Sequence, residues 1–534
     1  LKDVTASPDS ALFHSPQEEK RKRTDRMNRR TFLSTTSKTL IAAGGAVSLH
    51  SFAAGSEPLS FKIDPDHRVA NIPNDMMGLS YESTQLGDPS YFAPANTSLV
   101  ELFRTLSPGG NLRLGGNTSE FTYFKSTPGV SAPAWSPKPT QPQELTPITP
   151  DALRNLRAFL DRTGWNCIYG LNLGTATPER VAEEAAAAIE ILGPKLVYLQ
   201  IGNEPNNYIR YKLRSDTWNE HAYLTEWLAF ARAILKRTPD ARLAGPDMGA
   251  ESAWMQAFAK EAVAQLGPSL VAMSDHFYAA GPPTRPDVTL ASLLTETRKI
   301  GHEMDVMRGA GALSKLPYRM TEVNSCYLGG KPGMSDTFGS ALWAGDLSLK
   351  LIANGFSGVN FHGGSGKQIR ASLGGTLPGD IVSRAAASDS YYTPIAGSQE
   401  SGFTARPIFY GMMLAARLAG QVLLDSDSSR LRPEIAAYPA LCPNNREMRI
   451  ALFNKGQEEC GLVVSTGKHL RRATALRLAG PAVNALSGTT LGGATVGAEN
   501  KLTPVHEDAL PGAGKDAFRI TLPAYSAALV TATW

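Results

Sequence analysis

From about residue 70 onward, short apolar runs that end in polar residues alternate with amphipathic stretches. The runs read as buried strands and the stretches as helices. Eight runs qualify: Met76–Glu82, Asn111–Gly116, Asn166–Leu173, Leu196–Glu204, Arg242–Asp247, Ala272–Tyr278, Tyr318–Asn324 and Gly358–Gly363. Helices fit between them at Ala152–Thr163, Glu179–Leu192, Trp218–Lys236, Ser252–Gln265, Ala291–Met307 and Thr337–Ala353, and Pro407–Leu418 closes the series. The clearest has Thr177 as N-cap, Pro178 at the first helical position and Gly193-Pro194 as its stop. Eight alternations of this kind predict an α/β chain folded as a (β/α)8 TIM barrel.

The texture changes beyond Arg406. The runs Met448–Asn454, Cys460–Thr466, Ala473–Gly480 and Phe518–Thr533 are β-rich and punctuated by Gly, Pro and Asn, which predicts a β-sandwich. Strand-like residues Phe61–Asn71 precede the barrel and are expected to join it. The expected organisation is an N-terminal extension at 1–55, a strand at 56–71, a barrel at 72–405 and a sandwich at 406–534. Ser126–Pro150 is too long and too rich in Pro, Thr and Ser for an ordinary barrel loop, and is expected to wall the active-site face.

Charge alters the picture only at one end. Of the net +4, residues 1–55 hold nine Lys/Arg and five Asp/Glu, so the remainder carries 44 of each sign (53 − 9 and 49 − 5). A neutral body gives no overall reason to bind nucleic acid or long polyanions. Arg29-Arg30-Thr31-Phe32-Leu33 precedes a weakly apolar stretch too short to span a bilayer, and Ser51-Phe52-Ala53 suits a signal peptidase. This segment resembles a twin-arginine export signal and predicts a periplasmic or secreted protein with no membrane attachment once it is removed. Cys167, Cys326, Cys442 and Cys460 lack the paired spacing of zinc sites; Cys442 and Cys460 are a possible bridge, and buried free thiols are the commoner state of such residues.

In a barrel the C-terminal ends of the strands form one ring. Here the ring reads Tyr81, Glu82, Gly115, Gly116, Asn117, Asn172, Asn203, Glu204, Asp247, His276, Tyr278, Glu322, Asn324, Asn360 and His362. It is polar, aromatic and rich in carboxylates, as a sugar site requires. It holds no His/Cys set with metal spacing, no phosphate loop and no Gly-x-Ser-x-Gly elbow, so no metal or cofactor is expected. Glu204 and Glu322 stand out, because strands four and seven face each other across a barrel mouth. Retaining glycosidases need two carboxyl groups about 5–5.5 Å apart, one as nucleophile and one as acid then base.

The stretches GNEPNNY (202–208), TEVNSCYLGGKPGMSDTF (321–338) and LRLGGNTSEF (112–121) resemble glycoside hydrolase family 79, the β-glucuronidases and heparanases of clan A, from about residue 60 to the C-terminus. The resemblance implies Glu204 as acid/base, Glu322 as nucleophile, Asn203 as a partner of the sugar 2-OH and Tyr278 as the residue that orients the nucleophile. It implies that a uronic acid carboxylate meets Tyr327, Leu328 and Gly329, with Tyr392, or Tyr391 in its stead, completing the pocket. Heparanase-like members tend to have glycine where this chain has Leu328. Glu82 is a candidate for the 4-OH, and His276 and His362 for support. The expected activity is retaining exo-β-glucuronidase, and the expected partner is a glucuronic acid-containing glycan or glucuronide. The neutral body favours an uncharged or weakly charged aglycone over heparan sulfate. An endo-acting relative, a clan A enzyme for neutral pentosides and a non-catalytic glycan-binding protein are the competing readings.

Overall fold

The computed structural model of the chain describes residues 57–138, 141–249, 251–373, 377 and 389–534; the twin-arginine segment expected within residues 1–55 lies outside them. Eight parallel strands close a barrel in the order read from the sequence: Met77–Glu82, Asn111–Gly115, Asn166–Leu171, Leu196–Ile201, Leu243–Gly249, Leu270–Ala280, Tyr318–Cys326 and Phe356–Gly363. The first two strands and the eighth are buried almost throughout, the pattern of a parallel sheet with side chains filling one face and helices covering the other.

The helices agree with the sequence reading where capping signals are strong. Thr177 caps Pro178–Leu192, and Thr149 caps Pro150–Thr163 with Pro at the first position. Two details differ. A helix at Thr97–Leu106, capped by Asn96 and burying Leu99, Val100, Leu102, Phe103 and Leu106 on one face, links the first and second barrel strands and is absent from the sequence reading. The single helix expected over Ala291–Met307 is two, Leu290–Thr295 and Arg298–Ser314, separated where Glu296 adopts an extended backbone. No helix among the described residues is long and apolar enough to cross a membrane.

Strand Leu59–Asn71 organises the second sheet system. Its first residues, Leu59 to Lys62, pair in parallel with Cys460–Ser465, and from Ile63 onward it pairs antiparallel with Val422–Ser426, with register shifts between Asp64 and Arg68 and between Arg68 and Ala70. It therefore joins two layers, which bury Phe61, Ile63, Ile450, Leu462, Phe518 and Val530 between them. The alternate burial along Cys460–Ser465 shows one face turned to this core and the other outward. All four cysteines are free and buried, Cys442 and Cys460 included.

Barrel and sandwich meet along helix Phe338–Ala353. Its buried Asp346 accepts from Lys455 Nζ (2.6 Å) and Tyr438 Oη (2.6 Å), both from sandwich strands or their turns. Helix Pro407–Ala416 packs on the same helix so closely that a Cβ on Gly411 would stand 1.8 Å from the Ala341 carbonyl oxygen. Gly411→Ala is therefore expected to destabilise by about 1–3 kcal/mol, the usual cost of overpacking. Gly301→Ala, in open space on Arg298–Ser314, is expected to stabilise by up to about 1 kcal/mol through helix propensity. Urea midpoints of the two variants check the opposite signs.

Candidate active site

The ladder of the fourth strand stops at Ile201, three residues before Glu204 and earlier than the run of apolar residues suggests. Gly202 and Glu204 take left-handed backbone conformations (φ 82° and 44°), and Pro205 opens a tight turn through Asn207. A non-glycine residue in that region is strained and persists only when its surroundings hold it. Three bonds do so. The Glu204 N–H donates to the Asp247 carbonyl (2.8 Å), the Asn203 N–H to Glu120 Oε1 (2.6 Å), and Trp218 Nε1–H to the Pro205 carbonyl (2.8 Å). The turn lifts Glu204 out of the sheet and over the barrel mouth.

Glu322 comes from within the seventh strand and is buried. Single acceptor atoms of Glu204, Glu322 and the His276 ring all lie within 4.8 Å of one another. A cavity of about 490 Å3 opens above them, lined by Glu82, Asn117, Tyr278, Tyr327, Leu328, His362 and Tyr392 among others.

The two carboxylates have unlike surroundings. Tyr278 Oη donates to Glu322 Oε1 (2.7 Å) and Arg113 Nη1 to Oε2 (2.6 Å). Burial opposes the charge on Glu322, but His362, His276, Arg113 and the Tyr278 bond outweigh it and bring the group down to about 2. Glu204 accepts from Asn207 Nδ2 (3.0 Å) and lies 3.3 Å from His276 Nδ1, with 17% of its side chain exposed against 7% for Glu322.

Arg113, fully buried on the second strand, lies beneath both. Its guanidinium donates to Glu322, Asp247, Asn203 Oδ1 (2.7 Å), Ser80 Oγ (3.1 Å) and Gln200 Oε1 (3.3 Å). Asp247 also meets His276 Nε2 (3.0 Å) and Thr321 Oγ1 (2.7 Å). Burial opposes ionisation of Asp247, yet Arg113 and His276 hold it well below the usual carboxylate range. Burial likewise disfavours the His276 cation, but Asp247, Glu322 and Glu204 overcome this and raise it to about 10. Glu204, His276 and Glu322 are near enough to share a metal ion, but an imidazolium has no lone pair to give, so this set fits a metal poorly.

The structure gathers most of the residues expected from sequence. Asn203 is buried, its amide fixed between Arg113 and Asn117 Oδ1 (3.1 Å). Tyr278 stands between Tyr327 and Tyr392, with ring centroids 6.4 and 6.1 Å away. Leu328 and Gly329 follow with φ of 61° and 81°, so Leu328 holds a conformation that glycine adopts freely. Tyr392 lines the cavity, whereas Tyr391 packs with Ile369 and Leu377 and does not replace it. Glu82 accepts at Oε2 from the Thr118 N–H (2.8 Å) and hydroxyl (2.7 Å), and its Oε1 lies 3.3 Å from His362 Nε2.

Other ring members have structural partners. Tyr81 packs edge-on to Phe92, Asn172 donates to the Thr122 carbonyl, Asn324 to the His362 carbonyl and Asn360 to the Asn111 carbonyl. Ser126–Pro150 contributes no lining residue among those described; Gln141 instead bonds the Tyr211 carbonyl (2.8 Å) and braces the turn that follows Glu204. Sequence reasoning missed Arg113 and Glu120. An arginine inside the apolar run LRLGG is itself a signal, since a buried cation demands partners. Glu120 has no such local mark. Burial raises it to about 7 despite the donors Tyr208, Gly174 and Asn203 that pull it down.

Fold and site together define a (β/α)8 barrel with a carboxylate pair over its mouth and a sandwich that incorporates the N-terminal strand. No family model matches the chain. A β-glucuronidase of Aspergillus niger is 29% identical over 290 residues, 48% of this chain and 51% of that protein. A β-glucuronidase of Neurospora crassa is 28% identical over 289 residues, 48% of this chain and 50% of its own. The chain thus spans about half the length of the curated relatives it matches. Among solved structures, a 4-O-α-L-rhamnosyl-β-D-glucuronidase from Fusarium oxysporum 12S superposes with a TM-score of 0.67 at 17% identity, covering 89% of this chain and 100% of its own. A family 51 α-L-arabinofuranosidase from Bifidobacterium longum does so at 0.63 and 16%, with 89% and 100% covered. These likenesses establish a shared fold.

The His276 shift has a sign that can be checked. Its folded pKa lies above the ordinary value of 6.5, so its stabilisation is fully present below pH 6.5 and is lost as pH rises through about 10. The stability gap between the wild type and His276→Gln is expected to be widest below pH 6.5 and to close towards pH 10, as read from urea midpoints at successive pH values.

Proposed function

We propose that the protein is a retaining exo-β-glucuronidase of glycoside hydrolase family 79 that removes terminal β-linked glucuronic acid by double displacement. The observation that carries this reading is the approach of Glu204 and Glu322 to within 4.8 Å, near the spacing of retaining enzymes and well short of the roughly 6.5–9.5 Å that leaves room for an inverting water. Sequence similarity to two β-glucuronidases supports the choice of sugar.

In the first step a Glu322 oxygen bonds to the anomeric carbon. The glycosidic C–O bond breaks with its electron pair going to the leaving oxygen, and Glu204 supplies the proton that oxygen takes. Tyr278 and Arg113 keep Glu322 ionised and aimed. In the second step Glu204 takes a proton from water, the water oxygen bonds to the same carbon, and the ester to Glu322 breaks and restores its carboxylate. Asn203, fixed by Arg113 and Asn117, presents its amide to the 2-OH. Tyr327, Tyr392 and the backbone N–H groups at Leu328 and Gly329 receive the uronic carboxylate, and Glu82 receives the 4-OH.

Incubation with an aryl β-glucuronide is expected to release free glucuronic acid, the β-anomer first by NMR. Glu322→Gln is expected to abolish turnover and retain binding, and Glu204→Gln to cost about 10²–10⁴-fold on a poor leaving group and less on an activated phenol. Hydrolysis of aryl pentosides without glucuronides, cleavage of heparan sulfate chains without free glucuronate, or survival of turnover in Glu322→Gln overturns the reading.

A further inference from the structure

A second cavity, of about 570 Å3, shares Glu204 and Tyr278 with the first and runs from them towards the start of helix Arg298–Ser314. Its far wall carries Arg298, Lys299 and His302, all exposed. The acid/base residue of a glycosidase faces the bond to the leaving group, so a cavity that continues past Glu204, away from Glu82 and Tyr392, is where a leaving group lies. This step rests on the function proposed above.

The charges of that wall are unmatched. Among the described residues no carboxylate makes a salt bridge with Arg298, Lys299 or His302; Lys299 Nζ donates to the Ala279 carbonyl (3.0 Å). The nearby acids are otherwise engaged; Asp287, close enough to feel the Lys299 charge, pairs with Arg285. Glu296 caps the helix through the Lys299 N–H (2.6 Å), and Glu303 is buried against Asp275, whose carboxyl is held well above the ordinary range by burial and by Glu303. On the opposite flank of Glu204, exposed Arg210 lines the first cavity, also without a carboxylate partner among the described residues.

We propose that this cavity receives a leaving group bearing an anionic substituent, a carboxylate or a sulfate, and that Arg298 and Lys299 select it. The neutral charge of the body, which by itself favours uncharged aglycones, averages over a local cationic wall. Charge-assisted hydrogen bonds of this kind correspond to about a tenfold preference or more.

The experiment uses two nitrophenols matched in acidity, one with a ring carboxylate and one without, each carried on β-glucuronic acid and on α-L-arabinofuranose. The wild type is expected to show about tenfold higher kcat/KM for the carboxylated glucuronide, with the preference weakening at high salt. The double variant Arg298→Ala/Lys299→Ala is expected to lose that preference and keep its rate on the uncharged glucuronide. Turnover of both glucuronides at equal kcat/KM, or a preference that survives in the double variant, overturns this inference alone. A preference seen only on the arabinofuranosides overturns the choice of sugar and upholds the cationic wall.

Discussion

The buried guanidinium of Arg113 is the constraint on which the barrel mouth depends. Taking a cation out of water costs several kcal/mol unless its donors all find acceptors. Here they come from four strands or their ends: Ser80, Gln200 with Asn203, Asp247 and Glu322. Because an arginine presents its donors in one plane, satisfying all of them fixes those side chains relative to one another. The same group that neutralises Glu322 also orients Asn203, so the position of the proposed nucleophile and the polar contact beside the proposed acid are set together.

From that constraint follows the unequal treatment of two identical side chains. Glu322 receives a phenol, a guanidinium and two nearby imidazoles, a setting in which giving up its charge would leave several donors unanswered. Glu204 stands on a strained turn outside the ladder, with one amide donor, one imidazole and partial contact with solvent. Beneath them, Arg113 and His276 match Asp247 and Glu322 charge for charge. Glu204 is the carboxyl left outside that balance, which suits the acid/base role proposed for it.

The barrel was legible in the sequence because a closed parallel sheet buries both faces of every strand, so its strands stand out as apolar runs with polar ends. The ring of residues at those ends was legible for the same reason, and Glu204 and Glu322 with it. What stayed hidden depends on contacts between distant segments. Arg113 reads as one residue in an apolar run until the partners from other strands are known. Glu120 holds the Asn203 backbone from a turn 83 positions away, and nothing near it in the chain marks that role. The choice between Tyr391 and Tyr392 depends on which of two adjacent side chains faces the cavity, and the fold alone decides it. The break after Thr295 and the early stop of the fourth strand are backbone events, set by left-handed or extended residues that hydrophobic spacing does not report.

Overall charge is a coarse guide for a related reason. A count over the whole body treats all cations alike, whereas burial divides them into two kinds. Arg113 and His276 lie inside the mouth, where water cannot solvate them, and each is accordingly matched by carboxylates. Arg210, Arg298 and Lys299 lie at its edge, where water meets part of the cost of leaving them unmatched. A cation held in water at little cost is one that an incoming anion can recruit, because the pairing is not already made within the protein. On the function proposed above, the matched cations serve the chemistry at the anomeric carbon and the unmatched ones selection of what departs from it, a division that net charge cannot express.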